Sequence, residues 1–164
     1  MFQSLPWCLS RHYFPRTTDE IAALFNDSSY KIGPSSIPNA GRGLFAGKDF
    51  AKSSHVVDYY GFILTDCEYD WILPAFHYKI YTGVELKKLL GGSLELSLVG
   101  EPGWPGSLIN HNKPANCRFR IYKEKYNERG FKKGFVVVET LKAIKKGDEL
   151  FIDYGPMAKE ICGE

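Results

Sequence analysis

Gly147-Asp148-Glu149-Leu150-Phe151-Ile152-Asp153-Tyr154-Gly155 is a short apolar run held between acidic residues and closed at each end by glycine. Aromatic and β-branched residues bounded by turn formers read as a short strand, expected over 149–153, with Tyr154 at its end. Taken alone, Tyr154 would be a strand-end tyrosine with a wetted hydroxyl. Upstream lies Leu108-Ile109-Asn110-His111-Asn112-Lys113-Pro114-Ala115-Asn116-Cys117. By itself Asn110-His111 is a turn dipeptide, and a lone histidine is more often structural than functional.

Outward from these two stretches, most of the chain reads as strands. Segments 56–60, 77–82, 94–99, 117–123 and 135–140 are short, rich in β-branched or aromatic residues, and separated by Gly, Pro, Asn and Asp. Leu94, Leu96 and Leu98 alternate with Glu95 and Ser97, the period of a half-buried strand. The charged, glycine-bearing stretch 126–134 joins 117–123 to 135–140 as a hairpin with a long loop. One helix is expected near the start: Thr17 and Glu20 have capping-box spacing, and Ile21, Leu24 and Phe25 follow at helical spacing until the turn cluster Asn26-Asp27-Ser28-Ser29. A second, short helix is expected over 84–90, stopped by Gly91-Gly92. The class is mostly β with minor α.

Composition narrows the function. The chain has 164 residues, enough for one domain with a real core, and its 44% hydrophobic and 24% charged residues are those of a globular protein. A net charge of +2 argues against direct nucleic-acid binding, and Lys132-Lys133 and Lys145-Lys146 are too small to track phosphates. Cys8, Cys67, Cys117 and Cys162 show neither zinc spacing nor a disulfide framework, which fits a reduced intracellular compartment, nucleus or cytoplasm. No signal peptide, membrane span or membrane partner is expected.

Gly41-Arg42-Gly43-Leu44-Phe45-Ala46 matches the dinucleotide pattern G-x-G-x-x-A, with Asp58 downstream where a ribose contact should be. That mechanism needs a strand before the glycines and a helix opening on them. Gly33-Pro34-Ser35-Ser36-Ile37-Pro38-Asn39 is no central strand, and no helical stripe follows Ala46. A Rossmann reading fails. The glycines still allow close backbone approach to a ligand or to another strand.

Three segments in order resemble the SET domain: the Gly41–Gly43 loop leading to Asp58-Tyr59-Tyr60-Gly61, the Asn110-His111 segment, and the closing Glu149-Leu150-Phe151-Ile152-Asp153-Tyr154-Gly155. The resemblance covers about 31–155, with 1–30 as a helical extension, a variable insert over 67–106 and a short tail over 156–164. It implies a β-clip-like fold of small curved sheets around a C-terminal pseudoknot, a topology that connection rules do not predict. It implies protein-lysine methylation with S-adenosylmethionine as cofactor and S-adenosylhomocysteine as product. Ala40, Gly41, Arg42, Gly43, Leu108, Asn110, His111 and Tyr154 would bind that cofactor. Asn110 would take its amino group, and the His111 backbone would face its adenine. Tyr154 and Tyr59 would be catalytic, and Tyr59, Phe119 and Ile152 would contact the substrate lysine. Asn116 and Glu149 would support the pseudoknot.

The chain departs from the family pattern at four places. Lys113 stands where many relatives carry a zinc-binding cysteine, no cysteine-rich tail follows Gly155, and a zinc-free member is implied. Ala115 stands where the family has a proline before Asn116, with Pro114 one position early. Ser107-Leu108 replaces an Arg-Phe pair, and Ile152 occupies a position that is often aromatic. The implied partner is a lysine-bearing protein or peptide, a histone tail being one candidate. Met157 with Ile161, the N-terminal helix around Ile21–Phe25, a second subunit in a homodimer, or the substrate itself would supply the cofactor lid. Tyr69, Trp71, Phe76, Tyr78, Tyr81 and Trp104 would mostly pack, with one or two meeting the substrate. The competing expectation is an inactive SET domain that binds a peptide or partner.

Overall fold

The computed structural model describes residues 12–13, 17–65, 79–87, 93–100, 103–127 and 130–155. The first half of the chain runs β1 (His12–Tyr13), α1 (Thr18–Phe25), β2 (Tyr30–Pro34), β3 (Arg42–Ala46), β4 (His55–Asp58), β5 (Gly61–Thr65), β6 (Lys79–Lys87) and β7 (Ser93–Gly100). The second half adds β8 (Asn110–His111), β9 (Cys117–Ile121), β10 (Tyr126–Asn127), β11 (Gly130–Phe131), β12 (Val136–Thr140) and β13 (Phe151–Ile152). This is the expected mostly-β class: small sheets, with α1 the only α-helix among the described residues.

α1 forms where its sequence signals lie. Thr17 accepts from Glu20 N and the Glu20 carboxylate accepts from Thr17 N, both at 3.1 Å, the two halves of a capping box. The expected second helix is absent. Val84 to Lys87 belong to β6, which pairs antiparallel with β7 in the register Val84↔Leu96 and Leu86↔Leu94, while 88–92 lie outside the described residues. Val84 and Leu86 also alternate around Glu85, and ladder pairing favoured the strand period over the helical one.

The sheet that builds the site has the order β4-β12-β9-β13-β8. β9 and β12 form the expected hairpin, from Val136↔Ile121 to Thr140↔Cys117. β13 lies parallel to both β8 and β9 although about forty residues separate it from β8. The expected strand over 56–60 is cut short. β4 ends at Asp58, Tyr59 and Tyr60 form a link, and β5 continues in a different sheet, β1-β5-β7-β6.

Two strands around the glycine loop had no counterpart in the sequence reading. β2 and β3 pair from Tyr30↔Ala46 to Pro34↔Arg42, so the glycines open a strand and no helix follows, as rejection of the dinucleotide motif required. β3 then docks on the C-terminal segment through Leu150 N→Leu44 O at 2.8 Å and Ala46 N→Asp148 O at 2.8 Å. Leu44, Val138 and Leu150 are fully buried at the centre of a core that also holds Tyr30, Phe50, Ile109, Ile144 and Ile152. Truncating such a side chain costs about 2–5 kcal/mol.

Candidate functional site

Besides its backbone pairing and the buried Ile152, β13 is held by polar side chains. Asn116 donates from Nδ2 to Glu149 O at 2.8 Å, accepts Phe151 N at Oδ1 at 2.7 Å, and donates its own N–H to Phe151 O at 3.2 Å. Asn116 is buried, so each of these bonds replaces water that cannot reach it. The reordered Pro114-Ala115 turn therefore delivers Asn116 to the C-terminal segment.

Glu149, one residue before the core Leu150, sends its carboxylate to the glycine loop. Oε1 accepts from Ser35 Oγ at 2.6 Å, and Oε2 accepts from Ser36 N at 2.7 Å and Ser36 Oγ at 2.5 Å. Asn110 Nδ2 reaches Oε1 at 3.5 Å and donates to Arg42 O at 3.0 Å. Burial raises the Glu149 carboxyl, but the donors from Ser35, Ser36 and Asn110 outweigh it and hold it below the usual carboxylate range. Gly43 is required here: a Cβ would overlap Glu149 Oε1 and stand 3.3 Å from Asn110 Nδ2. Gly41 faces open space, with φ 73° and nothing within 4 Å of a would-be Cβ. Arg42 is exposed, Ala40 is half-buried, and Leu108 is half-buried at the end of the 3₁₀ turn Pro105–Leu108.

His111 and Tyr154 meet on the β8–β13 edge. Tyr154 N–H donates to His111 Nδ1 at 3.0 Å, their rings lie 5.3 Å apart, and the Tyr154 hydroxyl donates to Ile109 O at 2.6 Å. Tyr59 and Phe119 form an edge-to-face pair at 4.7 Å, with Tyr59 2% exposed. Phe119 and Tyr154 both pack onto the core cluster that contains Ile152, whose own side chain is 2% exposed. The predicted residues thus fall into three groups on one scaffold: Arg42, Gly43 and Asn110; His111 and Tyr154; Tyr59 and Phe119.

Neighbouring groups separate chemistry from support. Asp58 is buried, accepts from Tyr60 OH at 3.0 Å, and has its other oxygen 3.4 Å from His55 Nε2. Burial pushes the Cys117 thiol up to about 12, so it stays protonated and is no nucleophile at neutral pH. Among the described residues no cluster of three His, Cys, Asp or Glu is arranged to hold a metal. No described helix is long and apolar enough to cross a membrane.

Sequence reading missed Ser35 and Ser36, which carry the loop's contacts to Glu149, because hydrogen bonds across 114 and 113 positions leave no local pattern. It also missed Gly106, where a Cβ would stand 2.9 Å from Asp58 O, so that the Pro105–Leu108 turn can press on Tyr59. The next residue, Ser107, buries its Oγ with no hydrogen-bond partner among the described residues. Trp104 lies between Phe25 and Tyr60, 6.0 Å from each ring. Tyr69, Trp71, Phe76, Tyr78, Met157 and Ile161 lie outside the described residues, as does the side chain of Tyr81.

A family model described as the SET domain matches residues 41–155. The chain is 29% identical over 125 residues to a Danio rerio protein named N-lysine methyltransferase KMT5A-A, covering 75% of this chain and 35% of that one. It is 26% identical over 125 residues to the Xenopus laevis protein of the same name, covering 75% and 36%. It is 30% identical over 127 residues to a Halocynthia roretzi protein named histone-lysine N-methyltransferase SETD7, covering 74% and 30%. The chain spans about a third of the length of these curated relatives.

Proposed function

This chain belongs to the SET-domain family, and from that premise we propose that it is a protein-lysine N-methyltransferase dependent on S-adenosylmethionine, with S-adenosylhomocysteine as product. The observation that carries the reading is the β8–β13 pairing, which sets Asn110 beside the glycine loop and His111 beside Tyr154.

The residues fit such a cofactor. The Asn110 amide NH2 is engaged by Arg42 O and Glu149, which leaves its Oδ1 to accept from an amino group. The open face of Gly41 lets a ligand approach the backbone, and the contacts of Gly43 with Glu149 and Asn110 fix the other side of the loop. The His111 backbone and Leu108 would complete the seat, with Ala40 and Arg42 at its rim. When bound, S-adenosylmethionine supplies an electron-poor methyl group on a sulfonium.

The work of the chain is to select and align the amine. A free lysine has a pKa near 10.4, and only its neutral form is nucleophilic. Walls formed by Tyr59, Phe119 and Tyr154 exclude water and disfavour the ammonium, with Ile152 beneath them. The Tyr154 hydroxyl and the Ile109 carbonyl orient the amine lone pair, and most of the acceleration comes from that alignment. Residues 31–155 form the catalytic unit, with 1–30 as an extension and 156–164 as a tail. The substrate is a lysine in an intracellular protein, nuclear or cytoplasmic. One relative's name specifies histone-lysine, which makes a histone tail the first substrate to try.

Titration calorimetry with S-adenosylmethionine, followed by a peptide array with labelled cofactor, tests the reading. Cofactor binding with label on lysine supports it. Peptide capture without cofactor binding replaces it with the inactive binding module.

A further inference from the structure

Tyr154 depends on a hydrogen bond whose direction is set by one proton. Its N–H donates to His111 Nδ1 at 3.0 Å, and the Ile152 carbonyl lies 3.2 Å from the same nitrogen. A ring nitrogen that accepts carries no proton, so the neutral imidazole bears its hydrogen on Nε2. A proton added to Nδ1 reverses the arrangement. That nitrogen becomes a donor and turns to Ile152 O, and the Tyr154 N–H is left facing a hydrogen instead of a lone pair.

The surroundings leave room for both states. His111 is 6% exposed. Asp153 Oδ1 stands 3.8 Å from Nδ1, and Lys113 Nζ, from the turn between β8 and β9, stands 3.6 Å from that same carboxylate. Among the described residues, the other titratable group against the ring is the Tyr154 phenol, bound to Ile109 O. The Asp153 carboxylate thus stands between the His111 ring and the Lys113 ammonium.

We propose that His111, through its unprotonated Nδ1, is a positioning residue that fixes Tyr154 for methyl transfer, and that protonation of His111 releases Tyr154 and slows turnover. This rests on the methyltransferase reading above. It concerns the imidazole, whereas the cofactor role assigned to His111 uses only its backbone.

Two variants separate positioning from bulk. Asparagine sets its Oδ1 about where Nδ1 stands, accepts the same N–H, and does not titrate. Leucine fills the space and accepts nothing. His111→Leu should lower kcat about 10–100-fold with a smaller change in cofactor affinity. His111→Asn should recover most of that loss, and its kcat profile should lack an acidic-limb inflection present in the wild type. Independently of activity, the Tyr154 amide resonance should move with the His111 ring resonances at one common midpoint as pH falls. A Tyr154 amide that stays still while His111 titrates overturns the proposal, and so does a folded His111→Asn variant as slow as His111→Leu. A wild-type protein that transfers no methyl group overturns the functional reading and the effect on turnover with it. In that case the amide titration still decides whether the contact exists.

Discussion

The crossing of Asn116 and Glu149 with β13 and the helix α1 are organised in opposite ways. α1 draws its order from within: its capping box spans three residues, and none of its eight residues is buried. It touches the rest through Leu24, half-buried against the core, through a Phe25–Trp104 ring contact, and through Tyr30, whose hydroxyl donates to Leu24 O. The crossing has almost no local order. Its bonds run between residues 33 to 114 positions apart, and its polar groups sit at the margin of the buried core. An eight-residue helix is marginal alone and can be lost locally, whereas losing the crossing separates β13 from its neighbours and takes the site with it.

The contrast predicts a ranking of effects. Asn116→Ala strands the Phe151 N–H and the Glu149 carbonyl and should cost about 3 kcal/mol, seen as a fall in Tm of roughly 6–12 °C. A loss under about 1 kcal/mol would mean that backbone pairing alone holds β13. Asn110→Ala should weaken S-adenosylmethionine binding by about 1–3 kcal/mol, read by calorimetry in folded protein. Unchanged affinity would remove Asn110 from the cofactor seat.

Glu149→Gln comes next, at about 1–3 kcal/mol, because Ser35 and Ser36 bond to different oxygens and an amide keeps an acceptor for only one of them. The sign with pH follows from the lowered carboxyl. The folded protein binds this proton less readily than the unfolded chain. The stabilisation is therefore complete above the unfolded value of about 4.3 and is lost as pH falls through the lowered folded value. Denaturation midpoints measured down the acid limb should converge for wild type and Glu149→Gln, and parallel curves would show that Glu149 is not the group titrating. Thr17→Ala should be the smallest effect, about 1 kcal/mol or less, detectable as faster amide exchange confined to α1. Global destabilisation by Thr17→Ala would erase the contrast between the two regions.

The same contrast explains what the sequence reveals. Thr17 with Glu20 carries its partner within one helical turn, and α1 was legible. The β9–β12 hairpin was legible from two apolar runs either side of a charged loop. Val84 with Leu86 satisfied helix and strand periods alike, and only pairing with Leu94 and Leu96 decided between them. β2 and β3 were hidden because Gly33, Pro34, Gly41 and Gly43 mimic loop composition while the backbones pair. The candidate site residues were named through three motifs held in order, a resemblance that periodicity cannot supply. Ser35, Ser36 and Gly106 lie outside those motifs, and their roles emerge only where the segments touch.

The central claim, that Tyr154 at the β8–β13 edge serves lysine methylation, is tested most directly by label transfer from S-adenosylmethionine to lysine peptides, comparing wild type with Tyr154→Phe. Phenylalanine keeps the ring packed on the core and removes only the hydroxyl that donates to Ile109 O. Wild type should label a lysine peptide. Tyr154→Phe should do so about 10–1000-fold more slowly, a loss of roughly 1.4–4 kcal/mol in the transition state, with folding and cofactor affinity little changed. A wild type that binds the cofactor yet labels no lysine, or a Tyr154→Phe variant that works at the wild-type rate, would contradict it.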